Sequence, residues 1–113
     1  MVKLRNTGTV TITTGTITAS GTFTSEAFDA SSLQGYFSLQ WTIVGTGTMK
    51  AEVLVSNDGV NFHNIDTDIT TGQTAGTNMS SFTVTPCNQL QILFTETAGA
   101  AATISVVARL RAM

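Results

Sequence analysis

The chain is poor in the residues that carry most protein chemistry. It has one cysteine, Cys87, and one histidine, His63, among 113 residues. A single cysteine excludes an intrachain disulfide and a thiolate zinc site. A single histidine gives little from which to build a Ser-His-Asp triad or an imidazole metal cluster. Charged residues make up only 11%, well below the roughly one quarter usual in soluble domains. Sparse charge on a chain rich in β-branched residues argues against intrinsic disorder, which needs the opposite balance. It also implies that some neutral surface is covered by a partner, since free monomers carry denser mixed charge. The mean hydropathy of +0.22 points the same way. A net charge of −2 and a pI near 5.0 count against nucleic-acid binding, which leaves a basic patch. No apolar run approaches membrane-spanning length, and residues 1–6 lack the apolar core of a signal peptide. The expectation is synthesis in a cytoplasm, with no membrane partner.

What the chain does have is alternation. Phe37, Leu39, Trp41 and Ile43 recur at every second position, with Ser38, Gln40 and Thr42 between them, the period-two signature of a half-buried strand. Met49, Ala51, Val53 and Val55 form a second such series after Gly45-Thr46-Gly47, and the pair reads as a hairpin. Leu90, Ile92 and Phe94 make a third series, and Ile104, Val106, Ala108 and Leu110 a fourth. The expected core is therefore Phe37, Leu39, Trp41, Ile43, Val53, Val55, Leu90, Ile92, Phe94, Ile104 and Val106, with Trp41, the only tryptophan, at its centre. Residues 21–34 read as a strand with Phe23 or Phe28 inward, followed by a turn at 29–32. Ser56-Asn57-Asp58-Gly59 is a tight reversal, 60–65 alternates again, 66–80 reads as a long polar loop, and 81–85 is a short strand ended by Pro86. Seven or eight short strands and no helix predict an all-β, antiparallel β-sandwich, jelly-roll or immunoglobulin-like.

Residues 1–20 differ from the rest. Threonine occupies nearly every second place from Thr7 to Thr18, and its branched β-carbon favours extended backbone. The apolar side is thin: Val10, Ile12 and Ile17. Alone such a segment cannot offset its ordering entropy, so it needs a sheet edge, its own or another subunit's. The reading is an extended N-terminal arm, 1–20, that contacts another subunit through Val10, Ile12 and Ile17 by strand addition, ahead of a sandwich domain, 21–113.

Candidate sites are few. Asp58, Asp66 and Asp68 offer carboxylates near one sandwich end, but Asp66-Thr67-Asp68 lacks the continuation of a calcium loop, and they read as solvated acids. Glu26, Glu52 and Glu96 fall on different strands, so no glycosidase pair is formed. Arg109 and Arg111 share one face of the last strand and read as a solvated face. Cys87, after Pro86, reads as a small buried hydrophobe or an intersubunit thiol. The glycine-threonine repeats precede no helix and cradle no phosphate. The expectation is no catalytic, cofactor-binding or metal-ligating residue, no cofactor, and no enzyme.

An ordered set of segments carries a resemblance: Ser25-Glu26-Ala27-Phe28-Asp29, Leu33-Gln34-Gly35-Tyr36-Phe37-Ser38-Leu39-Gln40, Gly47-Thr48-Met49-Lys50, and Val53-Leu54-Val55-Ser56-Asn57-Asp58-Gly59-Val60-Asn61-Phe62. It resembles the small β-sandwich virion proteins of tailed bacteriophages, over roughly residues 20–65, with Phe62 where those proteins often have tryptophan. The resemblance implies a structural component of the virion, such as a capsid cement or decoration protein that straddles capsomer junctions. Its partners would be other capsid proteins, and it would be a homo-oligomer, with a trimer the common solution. A neck, tail or fibre-base part is the near alternative. A carbohydrate-binding or host-attachment module is the other, and it would need Tyr36, Phe62 or the 66–80 loop to present an aromatic surface.

Overall fold

A computed structural model describes residues 2–3, 9–29, 36–64, 69–83, 87–99 and 103–112. Among these residues the strands are β1 (Val2–Lys3), β2 (Thr9–Thr18), β3 (Thr22–Thr24), β4 (Phe28–Asp29) and β5 (Tyr36–Thr46), then β6 (Met49–Ser56), β7 (Thr70–Gln73), β8 (Gly76–Thr83), β9 (Gln89–Glu96) and β10 (Thr103–Ala112). They form two sheets. One has the order β1-β4-β9-β6-β7, with β3 also on β9, and the other has the order β2-β10-β5-β8. Every pairing is antiparallel except the short one of β1 with β4. The chain is an antiparallel β-sandwich.

The pairing has a simple origin. β6 pairs β7, β5 pairs β8, β3 and β4 pair β9, and β2 pairs β10, so the strands nest as one long hairpin. Rolling that hairpin lays β9 beside β6 and β10 beside β5. That is the jelly-roll form of the sandwich, one of the two topologies the periodicity left open.

The inward series meet between the sheets. Phe37, Leu39, Trp41 and Ile43 of β5, Val53 and Val55 of β6, Leu90, Ile92 and Phe94 of β9, and Ile104 and Val106 of β10 are all buried. Met49, Ala51, Ala108, Leu110 and Phe28 complete the layer, and Phe23 is half-buried against it. Trp41 and Phe94 come from opposite sheets and stack at a tilt, ring centroids 5.7 Å apart. Such contacts give the two sheets one dry interface about 10 Å thick.

Four expectations are corrected here. The series at 37–43 and 49–55 do not form a hairpin, because β5 lies in the four-stranded sheet and β6 in the six-stranded one. Gly45 and Gly47, at φ 111° and 125°, turn the chain across the sandwich in a backbone region that side chains disfavour. Residues 9–18 are not a projecting arm. They are β2, an edge strand paired along its length with the chain's own β10. The stretch 66–80 is not all loop, since it holds β7 and the first half of β8. Residues 60–64 form no strand and touch the sheet through one bridge, Val55 with His63.

The reason β2 stays in register is a bulge. Ile12 and Ile17 are five residues apart, so in a regular strand they would face opposite sides. The pairing with β10 shifts between Ser105 and Val107, opposite Thr14 and Gly15. Gly15 takes φ 65°, and the Thr14 hydroxyl accepts the Val106 N–H at 3.0 Å and donates to the Gly15 carbonyl. The extra residue brings Ile17 back to the inner face, so Ile12 and Ile17 are both buried, with Val10 packed beside them.

Candidate functional site

The two ends of the sandwich are held by carboxylates. At one end Glu96, the last residue of β9, continues the inward parity of Leu90, Ile92 and Phe94 and is 2% exposed. Its Oε2 accepts backbone N–H groups of Thr48 at 2.8 Å and Ala98 at 2.9 Å, and its Oε1 those of Gly99 at 2.9 Å and Ser20 at 3.1 Å. Led by the Thr48, Gly99 and Ala98 donors, these bonds favour the charged form and lower its pKa from 4.5 to about 2. The carboxylate thus ties together the turn before β3, the β5–β6 crossover and the loop after β9. Its lone pairs are consumed by backbone, which makes it a latch and not a general acid.

At the other end Asp58 caps the turn after β6. Its Oδ1 accepts the backbone N–H groups of Val60 and Asn61, each at 2.8 Å, and the Ser56 hydroxyl at 2.9 Å. Its Oδ2 accepts the Asn61 side-chain N–H at 2.9 Å. These donors, the Asn61 backbone first, hold the carboxyl well below the usual carboxylate range. Asn88 fastens the same turn to the start of β9, donating to the Asn57 carbonyl at 2.8 Å. The turn also uses up the chain at 57–61, which is why the alternation at 60–65 does not become a strand.

The remaining sequence candidates are dispersed. Asp66 and Asp68 lie outside the described residues, and among those described no group of three His, Cys, Asp or Glu could hold a metal ion. Glu52 pairs with Lys50 at 3.4 Å and accepts from the Asn64 side chain at 2.6 Å. Glu26 is exposed between β3 and β4, away from both. His63 is exposed, and its backbone exchanges two bonds with Val55. Cys87 is half-buried against the core. Phe62 is half-buried, and of the 66–80 segment the described part is mostly strand. Val10, Ile12 and Ile17, read as contacts to another subunit, belong to the chain's own interior.

What the structure leaves uncommitted is the outer face of the four-stranded sheet. The register sets its side chains in rows: Thr11, Arg109, Gln40 and Met79 in one, and Thr13, Val107, Thr42 and Thr77 in the next. Val44, Met79 and Val107 are 61%, 69% and 47% exposed. Thr42 and Thr77 share a hydrogen bond at 3.2 Å. Arg109 and Arg111 stand on this face, where no acidic side chain lies among the described residues. Tyr36 opens β5 at the outward parity of Gln40 and Thr42, in register with Thr83. The alternation of 103–111 places Val107 on the face of the two arginines, but not Met79, which falls in the 66–80 stretch that reads as loop.

A second feature adjoins the β2 edge of the same sheet. A cleft of about 240 Å³ opens between β2 and the β3–β4 segment, lined by Ile12, Phe23, Ser25, Glu26 and Phe28. Ser25 is fixed there, its hydroxyl accepting the Ile92 N–H at 2.9 Å and its own N–H donating to the Ile92 carbonyl.

No family model matches this chain, and no curated protein matches it. Solved structures do. The Yersinia pseudotuberculosis-derived mitogen aligns over 93% of this chain and 86% of its own, at 14% identity and a TM-score of 0.54. The enzymatically active domain of tailspike protein 4 of bacteriophage CBA120 aligns over 89% of this chain but 19% of its own, at 14% identity and a TM-score of 0.55. A prophage-derived protein, YomS of SPBc2, aligns over 91% of this chain and 92% of its own, at 10% identity and a TM-score of 0.47. At such identities the two stronger likenesses establish the β-sandwich fold alone.

Proposed function

We propose that this chain is a non-enzymatic structural protein of a bacteriophage virion, a cement or decoration protein that docks on the capsid through the outer face of its four-stranded sheet. The observation that carries this reading is that face: among the described residues uncharged but for Arg109 and Arg111, and set with exposed Val44, Met79 and Val107. A solvated sheet face normally carries dense mixed charge, and this one does not. Of the carboxylates, Glu96 and Asp58 are spent on loops at the two ends. Cement proteins need only modest area per contact, because a lattice repeats each contact many times. A homotrimer suits a three-fold junction and would present three such faces together. The sandwich shared with a phage tailspike domain is in keeping with a virion role. The carbohydrate-binding alternative has less support, since among the described residues a single aromatic position, Tyr36 at the start of β5, has outward parity on this face.

The test is quantitative mass spectrometry of purified particles produced by the genome that encodes the chain. The expected result is a fixed copy number per shell protein, lost in a Val107→Asp, Met79→Asp variant that still folds by circular dichroism. Absence of the protein from the particles would overturn the proposal.

A further inference from the structure

The edge of β2 that no strand pairs among the described residues lies beside the cleft. β2 is the end strand of its sheet, and its first half, Thr9–Thr13, lies ahead of the bulge at Thr14 and Gly15. Alternate residues there direct their N–H and C=O groups away from β10, where no strand receives them among the described residues. Natural edges are guarded by lysine, proline or inward charge, and residues 9–18 contain none of these. The bulge guards the far half of the strand by twisting it, which leaves the near half open.

The surroundings specify what would pair there. The cleft borders this same half, lined by Thr11, Ile12 and Thr13 on one side and by Phe23, Ser25, Glu26 and Phe28 on the other, with Ile12 and Phe28 almost wholly buried behind its surface. An added strand would point every second side chain into that gap. The gap of about 240 Å³ has room for one side chain, which would meet Phe23, the least buried of its apolar residues. The intervening side chains would lie on the outer face, opposite Thr11 and Thr13. Arg109 stands directly behind Thr11, and Arg111 behind Thr9. The added strand and β10 would be two strand spacings apart, roughly 10 Å, a gap that an arginine and a glutamate close together over a short threonine. Glu26, on the far rim, disfavours an acid inside the cleft.

We infer that the Thr9–Thr13 edge accepts an extended segment of a partner protein, alternating apolar side chains that enter the Ile12–Phe23–Phe28 cleft with acidic ones that meet Arg109 and Arg111. The identification of that partner as the shell protein rests on the virion reading above; the chemistry of the segment does not.

The experiment uses the full chain and a short synthetic peptide alternating glutamate with valine, read by amide hydrogen exchange and by titration. The peptide is expected to protect amides within Thr9–Thr13 and to leave β8, the other edge, unchanged. A glutamate–serine peptide, lacking the apolar side, should give no protection. The Arg109→Glu, Arg111→Glu variant should bind the glutamate–valine peptide about fivefold or more weakly, the size of two partly solvated ion pairs, and should favour a lysine–valine peptide instead. Equal binding by the lysine peptide to the unaltered chain, or no protection at Thr9–Thr13, would overturn the proposal. Concentration-dependent protection of these amides without peptide would overturn it too, by assigning the edge to a second copy. None of these outcomes depends on particle composition, so failure here and failure of the cement reading are told apart.

Discussion

Trp41 permits the sharpest test of the core, because two substitutions there separate packing from hydrogen bonding. Its ring is fully buried and faces Phe94 across the sandwich, centroids 5.7 Å apart at 40°. Its cross-strand neighbours on β10 and β8 are Ala108 and Asn78. A buried tryptophan removes some 150–250 Å² from water, and at about 25 cal/mol per Å² that is ~4–6 kcal/mol. Alanine keeps part of that burial, the aromatic pair adds ~0.5–1.5 kcal/mol, and measured losses for such truncations centre on ~3–5 kcal/mol. At ~0.05–0.15 kcal/mol per residue a 113-residue domain has ~6–17 kcal/mol in total. Trp41→Ala should therefore remove a large fraction of the stability and, at the weaker end of that range, leave only ~1–3 kcal/mol.

Trp41→Phe should behave differently. No acceptor among the described residues reaches the buried indole N–H, and such an orphaned donor costs ~1–3 kcal/mol. Phenylalanine keeps a ring opposite Phe94 and deletes the orphan, so relief of the one offsets loss of the other to within ~1 kcal/mol. Urea unfolding followed by far-ultraviolet circular dichroism measures both. With an m-value of about 1.5 kcal/mol per M, Trp41→Ala should lower the midpoint by ~2–3 M and Trp41→Phe by under ~0.7 M. Equal losses in the two variants would refute the orphan-donor argument, and an unchanged midpoint in Trp41→Ala would refute the core itself.

Two further outcomes follow from the latch and the edge strand. The Glu96 carboxylate, lowered from 4.5 to about 2, contributes stability that is fully present above pH 4.5 and lost as pH falls toward 2. Glu96→Gln should accordingly lower the urea midpoint at pH 7 and flatten its fall between pH 5 and 2.5, the residual acid sensitivity being that of Asp58; an unaltered pH profile would remove Glu96 from the latch. Ile17→Ala should destabilise the isolated chain by ~2–4 kcal/mol as a core truncation, whereas a contact made only to another subunit would leave monomer unfolding unchanged.

The inward series of β5, β6, β9 and β10 were legible because alternation is local: each strand reports by itself which side is dry. Which sheet a strand joins is not local. Phe37 to Ile43 and Met49 to Val55 show the same period whether they lie side by side or face each other, so a crossover passed for a hairpin. For β2 a signal was available and went unread. Ile12 and Ile17 have opposite parity, and Gly15 sits between them, the mark of a bulge in a strand that belongs to a core. Glu96 also announced itself, as an acid at the inward parity of β9. For the first part of β8, 76–80, no such signal exists, because Asn78 and Ser80 face inward at the edge of the sandwich and are polar and only half-buried. An edge strand that needs little dry surface writes no hydrophobic pattern.

The placement of charge says how a docking face could be oriented before it is held. The chain's net charge is −2, yet its four-stranded face carries two arginines and no acid among the described residues. The rest of the molecule is therefore more acidic than the net value suggests, and the sandwich is polarised from one sheet to the other. An acidic docking surface attracts one face and repels the other, within the ~8 Å over which physiological salt leaves charges unscreened. That attraction governs encounter and orientation more than final strength. On the docking proposal, strength would come from the exposed Val44, Met79 and Val107 and from the backbone pairing of a strand added at β2, which depend little on salt, while the pairs of that strand with Arg109 and Arg111 would be screened. That division would give both described arginines of so sparsely charged a chain one shared task, orientation of the face that carries them.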